Sequence, residues 1–86
     1  MQVRYSKRFQ KQFKKAPKNI QKKFISRLEI FIKDPNHPVL KNHKLIGSMY
    51  GTRSINITAD WRALYDDADE DSPLFVLFGT HSQLYK

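Results

Sequence analysis

The chain opens with alternation: Val3 and Tyr5 stand apolar among polar neighbours, the period of a short strand. Ser6 follows with a side-chain oxygen suited to a helix N-cap, and Phe9 and Phe13, four apart, fall on one face of the helix it would start. Lysine, arginine and glutamine fill the rest of that helix until Ala16-Pro17 interrupts it. Pro17 suits the first turn of a second helix, in which Ile20, Phe24, Ile25, Leu28, Phe31 and Ile32 recur at the three-to-four spacing of a buried stripe. Pro35 disfavours helical geometry at Asp34, and Pro38 repeats the break. The two helices are predicted to pack as a hairpin.

Beyond a loop over residues 34–50 the period changes to two. Arg53, Ile55 and Ile57 alternate with Ser54, Asn56 and Thr58, which predicts a half-buried strand at about 51–58. Trp61 to Tyr65 reads as the next strand, the acidic run Asp66 to Asp71 as a solvated turn, and Leu74 to Phe78 as a third strand. That last run is apolar on both faces, as a strand inside a sheet is, and Gly79 is expected to end it. The predicted class is α+β: a short N-terminal strand, a basic two-helix hairpin, and an antiparallel three-stranded meander with the helices on one face. Alternation puts Trp61, Ala63 and Tyr65 on one side of the sheet and Arg62 and Leu64 on the other. Trp61 and Arg62 therefore should not meet on one surface.

Composition narrows the field. With 86 residues, 40% apolar and 28% charged, the chain can build one core, so a single domain over residues 1–86 is expected. It has no cysteine, which excludes disulfides, thiolate nucleophiles and Cys-ligated metal. No stretch reaches the roughly 20 apolar residues of a membrane span, and the N-terminus lacks the apolar run of a signal peptide, so a cytoplasmic protein is expected. The charge is uneven: residues 1–50 hold 13 Lys+Arg against 2 Asp+Glu, whereas residues 51–86 hold 3 against 6. A basic half this concentrated attracts polyphosphate by Coulomb forces and counterion release, so nucleic acid or an acidic protein is the expected partner. A soluble basic face without a dedicated partner is the alternative.

Four side chains are the candidates for chemistry. His37, His43 and His81 are the histidines, and Asp60 is the one carboxylate outside the acidic run and the second helix with its terminus. His37, beside Pro38 in a turn, reads as structural. His81 follows the predicted interior strand and can project from the sheet edge. His43 lies in the basic loop Lys41-Asn42-His43-Lys44, whose charges favour its neutral, proton-accepting form. Each also reads as an ordinary surface or capping side chain. Asp60-Trp61-Arg62 brings together an acid, a flat aromatic and a fixed cation, a set able to orient a base, stack a nucleobase and hold a phosphate. Turn closure, core filling and snorkelling are the competing roles of the same three. His-x-x-x-His and HExxH spacings, the Gly and terminal Glu of a calcium loop, and a phosphate-cradling glycine loop are absent from the sequence, so neither metal nor cofactor is expected. Acid–base chemistry on RNA, whose 2′-hydroxyl supplies the nucleophile, needs only histidine, aspartate and arginine.

Across nearly its full length the chain resembles the RelE/ParE superfamily of bacterial toxins, and within it the YafQ-like branch of type II toxin–antitoxin ribonucleases. The resemblance is carried by the opening strand with its basic helical hairpin, by Asn42-His43-Lys44-Leu45 leading to Gly51-Thr52-Arg53-Ser54-Ile55 and Asp60-Trp61-Arg62-Ala63-Leu64-Tyr65, and by the ending Gly79-Thr80-His81-Ser82-Gln83-Leu84-Tyr85. It implies a RelE-like microbial ribonuclease-type fold and a metal-independent endoribonuclease that cuts messenger RNA in the ribosomal A site. Such an enzyme leaves a 2′,3′-cyclic phosphate and a 5′-hydroxyl, and a cognate antitoxin silences it.

By position, His43, Asp60, Trp61, His81 and Tyr85 match functional places of the branch, and Arg62 matches the superfamily's phosphate-binding arginine. The implied roles are His81 as general acid, His43 or Asp60 as base, Arg62 on the scissile phosphate and Tyr85 stacking on a base, with Trp61, Arg53 and Lys44 also at the substrate. Lys11, Lys14, Lys15, Lys22 and Lys23 are expected to attach ribosomal RNA. Where the family often has a histidine four residues before the Asp, this chain has Asn56, which exchanges no proton near neutrality; Tyr85 replaces a common Phe and adds a hydroxyl. Two other functions fit the same residues: a ParE-like inhibitor of DNA gyrase acting by protein binding, and a non-catalytic basic RNA- or ribosome-binding module.

Overall fold

The structure, a computed structural model, describes residues 1–46 and 51–85, so the end of the predicted 34–50 loop lies outside the described residues. Ser6 caps the first helix as its side chain promises. Its Oγ accepts from the Phe9 amide at 3.0 Å and donates to the Val76 carbonyl at 3.1 Å. Helix α1 (Lys7–Lys15) has no acidic residue in its first turn and ends on Lys14 and Lys15, where positive charge suits the C-terminal dipole. Helix α2 (Lys18–Lys33) begins one residue later than predicted, with Pro17 as its N-cap, and stops before Asp34 and Pro35. Phe24 packs on Phe9 and Phe13 and so closes the hairpin.

The sheet has five strands, in the order β1-β5-β4-β3-β2. The predicted meander forms its centre, as β3 (Thr52–Asn56), β4 (Trp61–Asp66) and β5 (Leu74–Thr80). Strand β1 (Arg4–Tyr5) runs parallel to β5 at one edge. At the other edge His43 and Lys44 form β2, antiparallel to β3, where a loop was expected. A two-residue strand has no period of its own, so only its partner reveals it. The same loop holds a 3₁₀ turn, Pro38–Leu40, closed by Lys41 in the left-handed region (φ 47°).

Gly79 does not end β5, which runs on to Thr80. The β4–β5 register also slips: Leu64 faces Leu77 but Tyr65 faces Phe75, leaving Val76 opposite no residue. This bulge puts Phe75 and Phe78, three apart, on the same face, where strict alternation would separate them. Both turn toward the helices and pack on Phe9 and Phe24. The helix-covered face thus holds a core of Phe9, Phe24, Phe31, Ile55, Ala63, Tyr65, Phe75 and Phe78. Ile25 and Ile32, assigned by periodicity to the buried stripe, are instead 49% and 45% exposed, because each lies one position, about 100° round the helix, past the buried Phe24 and Phe31.

Candidate functional site

The register that builds the core also selects what faces the other way. Ile55 and Ala63 are paired and point into the core, so their neighbours Ser54, Asn56, Arg62 and Leu64 turn to the open face. His43 joins them by pairing with Ser54, and Gly79 by pairing with Arg62. The chain then folds back over this face as α3 (His81–Leu84). Gly79 makes the approach possible, since a Cβ there would lie 2.9 Å from Gln83 Oε1 and 3.4 Å from Leu84 Cδ2. Gln83 Oε1 accepts from the Thr80 amide at 2.9 Å while Thr80 Oγ1 accepts from the Gln83 amide, a capping box that starts α3 on the residue before His81.

Between β2, the meander and α3 opens a cleft of about 490 Å³ lined by His43, Arg62, His81 and Tyr85 together with Lys41 and Asn56. His43 Nδ1 lies 2.9 Å from the Lys41 carbonyl. A carbonyl only accepts, so Nδ1 carries the hydrogen and, in the neutral ring, Nε2 keeps its lone pair for a proton. Arg62 Nη1 donates to the carbonyls of Thr58, Ala59 and Trp61 at 3.0, 2.8 and 3.3 Å. Its Nε and Nη2 have no partner among the described residues, and the cation is fixed with donors to spare. His81 is exposed; its amide donates to the Asp60 carbonyl at 2.8 Å, and its ring lies 4.6 Å from the Tyr85 ring. Tyr85 Oη donates to Ser54 Oγ at 2.9 Å, pinning the end of α3 to a hydroxyl that is wholly buried.

The other predicted site residues lie elsewhere. The exposed Asp60 borders the site through its backbone, and its carboxylate is not part of the cleft wall. Trp61 is half-buried on the core side, 5.5 Å from Phe78, so the expected separation of Trp61 from Arg62 is present. Arg53 and Lys44, opposite each other in the ladder, share the helix-covered side. Arg53 donates from Nε to Asn42 Oδ1 at 2.8 Å and lies 3.9 Å from Asp67, while Asn42 Nδ2 donates to Tyr65 Oη at 2.7 Å. Burial pushes the Tyr65 phenol above its usual range, against the Asn42 hydrogen bond and the Arg53 charge. Lys11, Lys14, Lys15, Lys22 and Lys23 are all exposed on the hairpin. Sequence reasoning missed Ser54, read as a plain outward polar residue of β3, and Lys41, whose carbonyl sets the His43 tautomer.

A family model described as the bacterial toxin of a type II toxin–antitoxin system, YafQ, matches residues 1–86. The chain belongs to the YafQ toxin family. Among solved structures it is similar to YafQ of Escherichia coli strain BL21(DE3), with 28% identity, 98% of this chain and 97% of that one covered, and a TM-score of 0.81. YafQ in the E. coli DinJ–YafQ complex is 29% identical over 98% of this chain and 97% of that one, with a TM-score of 0.71. A YoeB/ParE toxin from Agrobacterium tumefaciens, 18% identical over 94% of this chain and 99% of that one, shares the fold at a TM-score of 0.76. No curated protein matches the sequence. Among the described residues no helix of this YafQ-family chain is long and apolar enough to cross a membrane.

Proposed function

We propose that this YafQ-family toxin is a ribosome-dependent endoribonuclease that cuts messenger RNA in the A site by metal-free acid–base catalysis. The observation that carries the reading is the convergence of His43, Arg62 and His81 on one open cleft, with Tyr85 at its wall. In the proposed step the RNA 2′-hydroxyl attacks the adjacent phosphorus: the O2′–P bond forms as the P–O5′ bond breaks. His43 Nε2 takes the 2′ proton, and protonated His81 gives one to the leaving 5′-oxygen. Arg62 offers the cleft its unspent guanidinium donors to balance charge gathering on the phosphate. The products are a 2′,3′-cyclic phosphate and a 5′-hydroxyl. His43 is preferred to Asp60 as base because the imidazole lines the cleft and is held in an accepting tautomer, whereas Asp60 meets the site through its carbonyl.

Tyr85 has its hydroxyl committed to Ser54 and keeps a ring against which a base can stack. The exposed lysines of the hairpin suit attachment to ribosomal RNA, and the same positive field suits an acidic antitoxin. The structure of E. coli YafQ with DinJ supports expecting a cognate antitoxin for this chain. The proposed setting is the cytoplasm, where messenger and ribosomes meet.

The test is in vitro translation with mapped messenger ends, with and without ribosomes. Cuts bearing 5′-hydroxyl ends, seen only when ribosomes translate, are expected. Growth arrest that persists after His81→Ala, without any cut, would point instead to gyrase inhibition.

A further inference from the structure

Arg27 is the one residue of α2 whose surroundings make no sense within the free protein. It is half-buried, its Nε is sealed from solvent without a hydrogen-bond partner, and its guanidinium forms no hydrogen bond or ion pair among the described residues. The sealed Nε is out of a ligand's reach, but the terminal Nη groups are not sealed, and their donors are open to an anion. Arg27 lines a concavity of about 190 Å³ with Lys41, Asn56, Thr58 and Ala59. Lys41 and Asn56 also line the catalytic cleft, so the two hollows share a wall. The Thr58–Ala59 turn lies between two cations: its carbonyls are held by Arg62, and its other side borders the Arg27 hollow. No acidic side chain lines either hollow.

We infer that the Arg27 hollow is a second phosphate site, which takes a backbone phosphate of the RNA strand next to the one held at Arg62. The inference rests on the ribonuclease reading, since it follows the strand out of that cleft. A polynucleotide carries a phosphate at every residue, so a strand gripped at Arg62 presents another to the adjoining hollow. Arg27 meets that anion with its Nη groups, which have no partner among the described residues, and Lys41 adds charge from the shared wall.

The experiment measures binding of a single-stranded 2′-O-methyl RNA, which lacks the attacking hydroxyl and stays intact, to the full chain over a range of salt. Arg27→Met keeps an unbranched apolar stem of similar length for α2 packing, and Arg27→Lys keeps the charge. Arg27→Met is expected to weaken binding about three- to tenfold and to lower the slope of log K against log salt by about 0.7, the loss of one single-strand phosphate contact. Arg27→Lys should keep the wild-type slope, and the thermal midpoint of Arg27→Met should not fall. An unchanged slope in Arg27→Met, or no binding by wild type, overturns the second site. A wild type that binds with the predicted slopes but never cuts messenger sinks the ribonuclease reading and leaves the phosphate site standing.

Discussion

The two faces of the sheet are made from alternate residues of the same strands and have opposite characters. On the covered face, Phe75 packs against Tyr5, Phe9, Phe24, Phe31 and Tyr65, and the helices exclude water from all but the edges. On the open face, His43, Asn56 and Arg62 stand on neighbouring strands with no helix over them, and only the short α3 folds back. The contrast teaches how so small a chain builds a core and an open cleft from the same strands: a pleat of period two sends one residue to the core and the next to the opposite face. Substitutions on the covered face should therefore change melting, and those at the cleft wall should change cleavage, with or without a change in melting.

The largest effect expected is on the covered face. Phe75→Ala removes the ring that joins both helices to the sheet and should cost about 3–5 kcal/mol, read as a large fall in denaturant midpoint. A fall of less than about 1 kcal/mol would show that the rings pack independently of one another. Next comes the point where the open face is most buried. Tyr85→Phe leaves the wholly buried Ser54 hydroxyl without its donor and should cost about 1–3 kcal/mol, whereas Tyr85→Phe with Ser54→Ala should be nearly neutral. Additive losses in that cycle would remove the link between tail and sheet.

Gly79→Ala sharpens the division further. The new methyl crowds Gln83 and Leu84 and should cost only about 1 kcal/mol, yet by displacing α3 it should slow cleavage by up to about 10²-fold. The smallest effect is one of pH. The Tyr65 phenol is raised above its unfolded value of 10.0, so the unfolded chain loses this proton first as pH rises. Its contribution is fully present below about pH 10 and declines as pH climbs through the folded value. Tyr65→Phe should flatten that alkaline loss in urea melts without moving cleavage near neutral pH.

Local signals made most of the fold legible. Ser6, the phenylalanine spacing, Pro17 and Pro35 bound the helices, and alternation gave the three central strands along with the opposed faces of Trp61 and Arg62. What stayed hidden depends on partners distant in sequence. The two residues of β2 become a strand only against Ser54 and Arg53, and the Val76 bulge exists because Phe75 and Phe78 both find rings beneath them. The exposure of Ile25 and Ile32 follows from which side of α2 docks on the core, the side of Phe24 and Phe31, and α2 alone does not encode that choice. In the site, His43, Arg62, His81 and Tyr85 were visible as residue types in a familiar order. The Tyr85–Ser54 bond, 31 positions apart, and the solitary Arg27 were not, since a serine in a strand and an arginine on a basic helix carry no local mark.

The central claim is that the open face cuts RNA while the covered face only holds the fold. Its most direct test is the single-turnover cleavage rate of a messenger on programmed ribosomes, measured for wild type and His81→Ala at equal thermal midpoint. The account predicts a loss of about 10²–10⁴-fold, the contribution of one positioned acid. Cleavage by His81→Ala at the wild-type rate would contradict it.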